Sequence, residues 1–251
     1  MAVLQGRAVV VVARWSEVLE PVVIVSIVIP VLNEGSALAD CLLRLQSLRL
    51  KKVEIIVADG GSADGSLAAV SHLADHIIDA PRGRAAQMNA GAAMASGEVL
   101  LFLHADTVLP DSFVDLLSKF SDPAMQWGFF LPRLSGAHWL LRWVETGMAW
   151  RSRLTCVATG DQAIFVRREF FQSIGGFPSL ALMEDIALSK LLRRIAKPCI
   201  WHDPVITSSR RWERNGIVKT IVLMWSLRLL YVCGVAPETL QRLYYKKSPV
   251  G

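Results

Sequence analysis

Three short stretches place carboxylates where apolar runs end. P-V-L-N-E, residues 30–34, follows a β-branched run; D-G-G-S-A-D-G, residues 59–65, follows V-E-I-I-V-A; and L-L-F-L, residues 100–103, runs into His104, Ala105 and Asp106. Brought to one edge of a sheet, Glu34, Asp59 and Asp106 would repel one another, and a bound cation or a hydrogen-bonding ligand such as a ribose or a base would offset that repulsion. Each stretch also has a plain structural reading. Asn33-Glu34 can open a helix, where the dipole favours a carboxylate; the glycine-rich loop can be a tight turn with an aspartate cap; His104 can mark a strand leaving the core. The loop is none of the usual phosphate or nucleophile loops. G-x-G-x-x-G fails on spacing, a Walker motif needs Lys where Ser66 stands, and G-x-S-x-G is broken by Asp64.

The elements that must position these groups alternate. A β-branched run over 22–29 closed by Pro30 reads as a strand, and Leu38, Cys41, Leu42 and Leu45 follow at helical spacing. Then come a strand at 53–58, a helix at 66–74, a strand at 76–79, a helix at 85–95 and a strand at 99–103. Such alternation with short connections predicts a parallel sheet covered on both faces, whose ligands gather beyond the carboxyl ends of the strands. After Asp111 the pattern is less regular: a helix at 111–120, a strand at 127–131, a Trp-rich helix at 138–153, a strand at 163–167, a helix at 184–195 and short strands around Ile200 and Val205. The helical spacing of Trp139, Trp143 and Trp150 points to core packing, with an acceptor-binding wall as the alternative.

Composition narrows the class. Of 251 residues, 53% are hydrophobic and 20% charged, which excludes disorder. The net charge of +5 is uneven: from Ala187 onward twelve Lys/Arg face three Asp/Glu, so the C-terminal part is suited to phosphate or a lipid surface. No nucleic-acid module is recognisable, and no nucleic acid is expected as a partner. Cys41, Cys156, Cys199 and Cys233 form no zinc-type spacing and read as reduced thiols of a cytoplasmic protein. Residues 1–20 read as an N-terminal extension, 21–216 as the main domain and 217–251 as an amphipathic helical segment. Within the last, 217–235 is apolar nearly all round, but Lys219 and Arg228 make a spanning helix costly. An interfacial helix in peripheral contact with the inner membrane face, or a homodimer contact, suits it better; a core helix on the sheet is the alternative.

Together, Pro30-x-x-Asn33-Glu34, Asp59-Gly-Gly-Ser-x-Asp64-Gly65 and an apolar strand ending in x-x-Asp resemble the signature of family 2 glycosyltransferases with the GT-A fold, over roughly residues 25–212. L-F-L-H-A-D-T, T-G-D-Q-A-I-F-V-R-R, L-M-E-D-I and S-S-R-R-W-E-R-N-G are similar to a bacterial group labelled arsenosugar-biosynthesis glycosyltransferases. The resemblance implies an α/β fold: a GT-A-type, mostly parallel nucleotide-binding sheet with helices on both faces and a C-terminal helical extension. It implies an inverting transfer from a nucleotide-sugar donor, UDP-linked, to a hydroxyl acceptor, with a Mn or Mg divalent cation. Nucleoside binding would fall on Val31, Glu34 and Asp59, and the metal on Asp106. His104 stands where the family's D-x-D motif has its first aspartate; imidazole can bond a ribose or ligate the metal but adds no negative charge. Arg84, at a helix start, would contact the diphosphate, with Gln87 and Asn89 assisting. Asp185 of Glu184-Asp185 matches the general base, Glu184 orienting it or binding acceptor; the plain reading of Asp185 is a helix cap. Asp161 would hold acceptor hydroxyls. Arg211-Trp212 matches part of the Q-x-x-R-W motif of processive relatives, Arg211 neutralising the leaving group and Trp212 stacking on a sugar. The glutamine position is Ser208, which favours a single transfer. A nucleotidyltransferase and a non-catalytic sugar-nucleotide binder are the rival readings.

Overall fold

The computed structural model describes residues 25–246; the extension at 1–20 and the first three residues of the expected strand at 22–29 lie outside them. Along the chain the elements are β1 (Val25–Val31), α1 (Ser36–Arg49), β2 (Val53–Asp59), α2 (Ser66–Val70), β3 (His76–Asp79), α3 (Arg84–Met94), β4 (Val99–Phe102), β5 (Thr107–Val108) and α4 (Phe113–Leu117). They continue with β6 (Trp127–Leu134), α5 (Trp139–Thr155), β7 (Phe165–Arg167), α6 (Arg168–Ser173), α7 (Glu184–Ile195), β8 (Cys199–Thr207), α8 (Arg210–Asn215), α9 (Ile217–Val232) and α10 (Pro237–Lys246). The strands form one eight-stranded sheet in the order β3-β2-β1-β4-β7-β6-β8-β5. Its first half, β3 to β4, is parallel throughout, as the alternation requires; beyond it β7 runs antiparallel to β4 and β6, β6 and β8 are parallel, and β5 closes the edge antiparallel to β8.

All seven residues of β1 are buried, because both faces of this strand are covered. Side chains alternate between two cores. Ile27, Ile29, Ile55, Val57 and Leu101 pack with Leu38, Leu42 and Leu45 of α1, while Val28, Ile56, Leu100 and Phe102 pack with Met88 and Ala92 of α3 and with Leu188 and Leu192 of α7. Close contact of α3 with the sheet depends on Gly91, where an added Cβ would stand 2.4 Å from Val28 Cγ1. Pro30 does not end β1. The ladder with β4 stops at Val28↔Phe102, so the N–H that Pro30 lacks falls beyond it, while pairing with β2 continues to Val31↔Asp59.

Other expectations fail as well. Ile200 and Val205 belong to a single strand, β8, whose register against β6 shifts between Phe130 and Pro132. The three tryptophans of α5 are not core residues: Trp139, Trp143 and Trp150 are 65%, 71% and 66% exposed. The helix carries a second apolar stripe, Leu141, Val144 and Met148, and it is this one that packs inward, against Trp212, Ile217 and Ile221. Nor is α9 a core helix on the main sheet. It packs through Leu227 in a cluster with Val157, Met183, Ile186, Leu240 and Tyr244, so α5, α8, α9 and α10 form a helical layer beside the sheet. Among the described residues no helix is long and apolar enough to cross a membrane.

Candidate active site

The loops after β1 and β2 are locked together by their own polar groups. Asp59 accepts from the Gly61 and Ser62 amides at 3.1 and 3.0 Å and from Ser62 Oγ at 2.6 Å. Ser62 Oγ in turn accepts from the Asn33 amide, Asn33 Oδ1 from the Ala63 amide and Asp64 Oδ2 from the Gly35 amide. Gln87, fully buried on α3, donates to both Val31 O and Ala58 O, at 2.7 and 2.9 Å, and so pins the carboxyl ends of β1 and β2. Asn89 pairs in both directions with the backbone of Phe177. Gln87 and Asn89 therefore hold the frame of the site and do not face into the cleft. Val31 has its side chain in the core and its carbonyl taken by Gly60 and Gln87.

A cleft of about 980 Å³ opens where the sheet edge meets the helical layer. Its walls bring together Arg84, His104 and Asp106 from the sheet side, Asp161, Glu184 and Asp185 from the middle, and Arg211 and Trp212 from α8. Asp106 and Asp185, 79 residues apart in the chain, thus open onto one space. Val31, Glu34 and Asp59 do not line it. Glu34 is the nearest of these three electrostatically: half-buried, it has its pKa raised by burial and by Asp106, with Arg84 and Arg210 opposing. Asp106 is likewise raised by burial, against the pull of Arg210 and Arg84.

At the floor, the N-terminus of α7 is reached through Met183, held at φ 69°, a left-handed conformation unfavourable for a branchless but bulky side chain. Asp185 Oδ2 accepts from the Gly160 amide and Oδ1 from the Ile186 amide, both at 2.6 Å. Burial still raises its pKa, the two N–H bonds offsetting only part of the cost. Neighbouring Glu184 is 5% exposed, and burial with the Asp185 charge pushes its pKa up to about 7. His104 belongs spatially to this group. A Cβ on Gly160 would stand 2.7 Å from His104 Cε1 and Nε2 and 3.7 Å from Asp185 Oδ2, so glycine lets the imidazole close on this turn, while the carboxylate lies at ordinary contact distance. Burial and the Arg84 charge push the His104 pKa down to about 3, leaving the ring neutral.

The turn Gly160–Gln162 is fixed by a capping box in which Gln162 Oε1 accepts from the Thr159 amide. Buried Gln162 also takes bonds from Ser152 and Arg151 and donates to Phe130 O. Among the described residues, Asp161 Oδ1 and Arg151 Nε are buried without hydrogen-bond partners, two atoms that a hydroxyl-rich ligand would satisfy. Burial and Arg228 push Arg151 down to about 10. Arg211 lies over the Tyr244 ring at 4.1 Å. Sequence reasoning missed Arg151, Arg210, Arg228 and Tyr244 as cleft residues. Arg210 adjoins a recognised motif, but the others are isolated residues on helices whose inward face only packing reveals.

A divalent cation would have a partial protein site. Among the described residues, no group of three or more His, Cys, Asp or Glu side chains is disposed to hold a metal. Asp106, a carboxylate whose charge is undercompensated by its surroundings, fits Mg²⁺ or Mn²⁺ bound mainly through a ligand's phosphates and water.

Comparison with known proteins agrees with the fold. The structure is similar to the mannosyltransferase PcManGT from Pyrobaculum calidifontis in complex with GDP-Man and Mn²⁺, with TM-score 0.56 and 19% identity over 89% of this chain and 69% of that one. It is also similar to glucosyl-3-phosphoglycerate synthase from Mycobacterium tuberculosis in complex with Mn²⁺, UDP and glucosyl-3-phosphoglycerate, with TM-score 0.58 and 20% identity over 85% and 81%. In sequence, a PGL/p-HBAD biosynthesis glycosyltransferase of Mycobacterium bovis is 28% identical over 166 residues; the match spans 61% of this chain and 62% of that relative's length. The family model described as glycosyl transferase family 2 matches residues 26–170, more than half of the chain. The chain belongs to glycosyl transferase family 2.

Proposed function

We propose that the protein transfers a sugar from a nucleotide-linked donor, UDP-linked, to a hydroxyl acceptor in a single inverting displacement. The observation that carries this is the shared cleft: Asp106 and Arg84 on the sheet side face Asp185 across a space large enough for a sugar diphosphate. Asp185 takes the proton from the acceptor hydroxyl as that oxygen attacks the anomeric carbon, and the bond from this carbon to the diphosphate breaks on the opposite side. Burial suits the carboxylate to the task by raising its basicity, while the amides of Gly160 and Ile186 fix its direction. Arg84 and Arg211 receive the charge of the departing diphosphate. A divalent cation, when bound at Asp106, supplies further neutralisation of that charge. Asp161 and Trp212 stand on the acceptor side. Glu34 and Asp59 shape the nucleoside end, Asp59 through the turn it caps. Ser208 in place of glutamine supports one transfer per acceptor, and the T-G-D-Q and S-S-R-R-W segments support the narrower grouping with the arsenosugar-biosynthesis enzymes. The free cysteines Cys41, Cys156, Cys199 and Cys233 suit a reducing compartment.

A thermal-shift panel tests the donor assignment. UDP-sugars with Mn²⁺ are expected to raise the melting temperature, since a ligand that binds only the folded state stabilises by mass action. A shift with GDP-sugars and none with UDP-sugars would overturn the UDP assignment; no shift with any nucleotide sugar would overturn the transferase reading.

A further inference from the structure

The cleft opens toward an unusual surface. On α5 the exposed residues Trp139, Trp143, Trp150 and Leu154 recur at spacings of four, seven and four, which places them on one side of the helix. On the neighbouring α9, Val218, Val222, Trp225, Leu229 and Val232 do the same, each 59–73% exposed. The lining of the cleft runs from Asp185 outward to Trp143 on one helix and Trp225 on the other, so the mouth lies within this aromatic and aliphatic face. Exposed Arg153, Arg214 and Lys219 border it. Of the acids on the same helices, Glu145 is half-buried and pairs with Arg142 and the Leu134 amide, while Glu213 is exposed and accepts from Ser209 Oγ. Three exposed cations against this one exposed carboxylate leave the rim net cationic.

We propose that the α5–α9 face docks the protein on an anionic lipid bilayer, with the mouth of the cleft turned toward it. Indole rings settle at the headgroup level, where an apolar body and a polar N–H are both accommodated. Cations beside an apolar helical face add attraction to anionic lipid. A second copy of the chain would cover the same apolar area but would also seal the path between Trp143 and Trp225, whereas a fluid bilayer leaves that path open to molecules embedded in it. The docking surface stands independently of the chemistry assigned to Asp185.

Flotation with vesicles of phosphatidylcholine, with and without phosphatidylglycerol, tests the proposal. The protein is expected to float with the anionic vesicles, to release in high salt, and to show tryptophan quenching by brominated lipid. A Trp139→Ser, Trp150→Ser, Leu229→Ser triple variant alters exposed positions outside the cleft lining. It is expected to keep its circular dichroism and its donor-induced thermal shift while binding anionic vesicles about tenfold more weakly or worse. Failure of the unaltered protein to float with either vesicle would overturn the proposal, as would a dimer by light scattering that the triple variant splits.

Discussion

At the scale of single residues, the site is governed by carboxylates whose pKa is raised by burial. Glu184 illustrates the consequence for stability. Its pKa is pushed from the ordinary 4.5 to about 7 in the folded protein, so the folded state holds a proton that the unfolded chain has released. Its contribution is fully favourable below pH 4.5 and is lost as the pH rises to about 7. Melting temperatures of the unaltered protein and of Glu184→Gln, measured across this range, are expected to diverge in favour of the variant as pH rises and to run parallel above pH 7; parallel curves throughout would show that Glu184 ionises normally. Gly160 governs geometry. Gly160→Ala drives a methyl against the His104 ring; relieving that clash shifts the turn whose amide orients Asp185, and misplacement of the base by about 1 Å costs on the order of 10²-fold in turnover. Turnover of that variant beside its melting temperature checks this, with a large loss in the first and a small change in the second expected.

At the scale of elements, the parallel half of the sheet was legible because its strands and helices differ in period. Val53–Asp59 and His76–Asp79 lie where alternation and β-branching put them, and α7 begins at Glu184 and ends at Ile195 as expected. Legibility failed on α5, where two apolar stripes share one helix and periodicity does not say which faces in; the outcome depends on Trp212, Ile217 and Ile221, far along the chain. It failed similarly for Gln87, whose polar side chain reads as a ligand contact and instead ties two strand ends. The close approach of α3 is testable on this scale. Gly91→Ala places a Cβ within 2.4 Å of Val28 and is expected to destabilise by about 1–3 kcal/mol in denaturant titration, as overpacking does. Adding Val28→Ala should recover part of the loss; no loss in the single variant would mean that α3 is free to withdraw from the sheet.

At the scale of the whole molecule, the fold delivers groups from distant segments to one cleft. Asp106 comes from the loop after β4, Asp161 from the turn before β7, Asp185 from the start of α7 and Arg211 from α8. Their residue types and motif spacing were readable from sequence, and the structure brings them to one cleft. Arg151 and Arg228 were not, because their position depends on how the helical layer folds over the cleft. The division of labour across that space is the central claim, and one comparison tests it most directly: donor binding and transfer measured side by side for Asp106→Asn and Asp185→Asn. The account predicts that Asp185→Asn binds the nucleotide sugar as the unaltered protein does yet transfers about 10² to 10⁴-fold more slowly, while Asp106→Asn loses the part of donor affinity that depends on manganese. Native transfer rates from Asp185→Asn, or manganese-dependent binding that survives in Asp106→Asn, would contradict it.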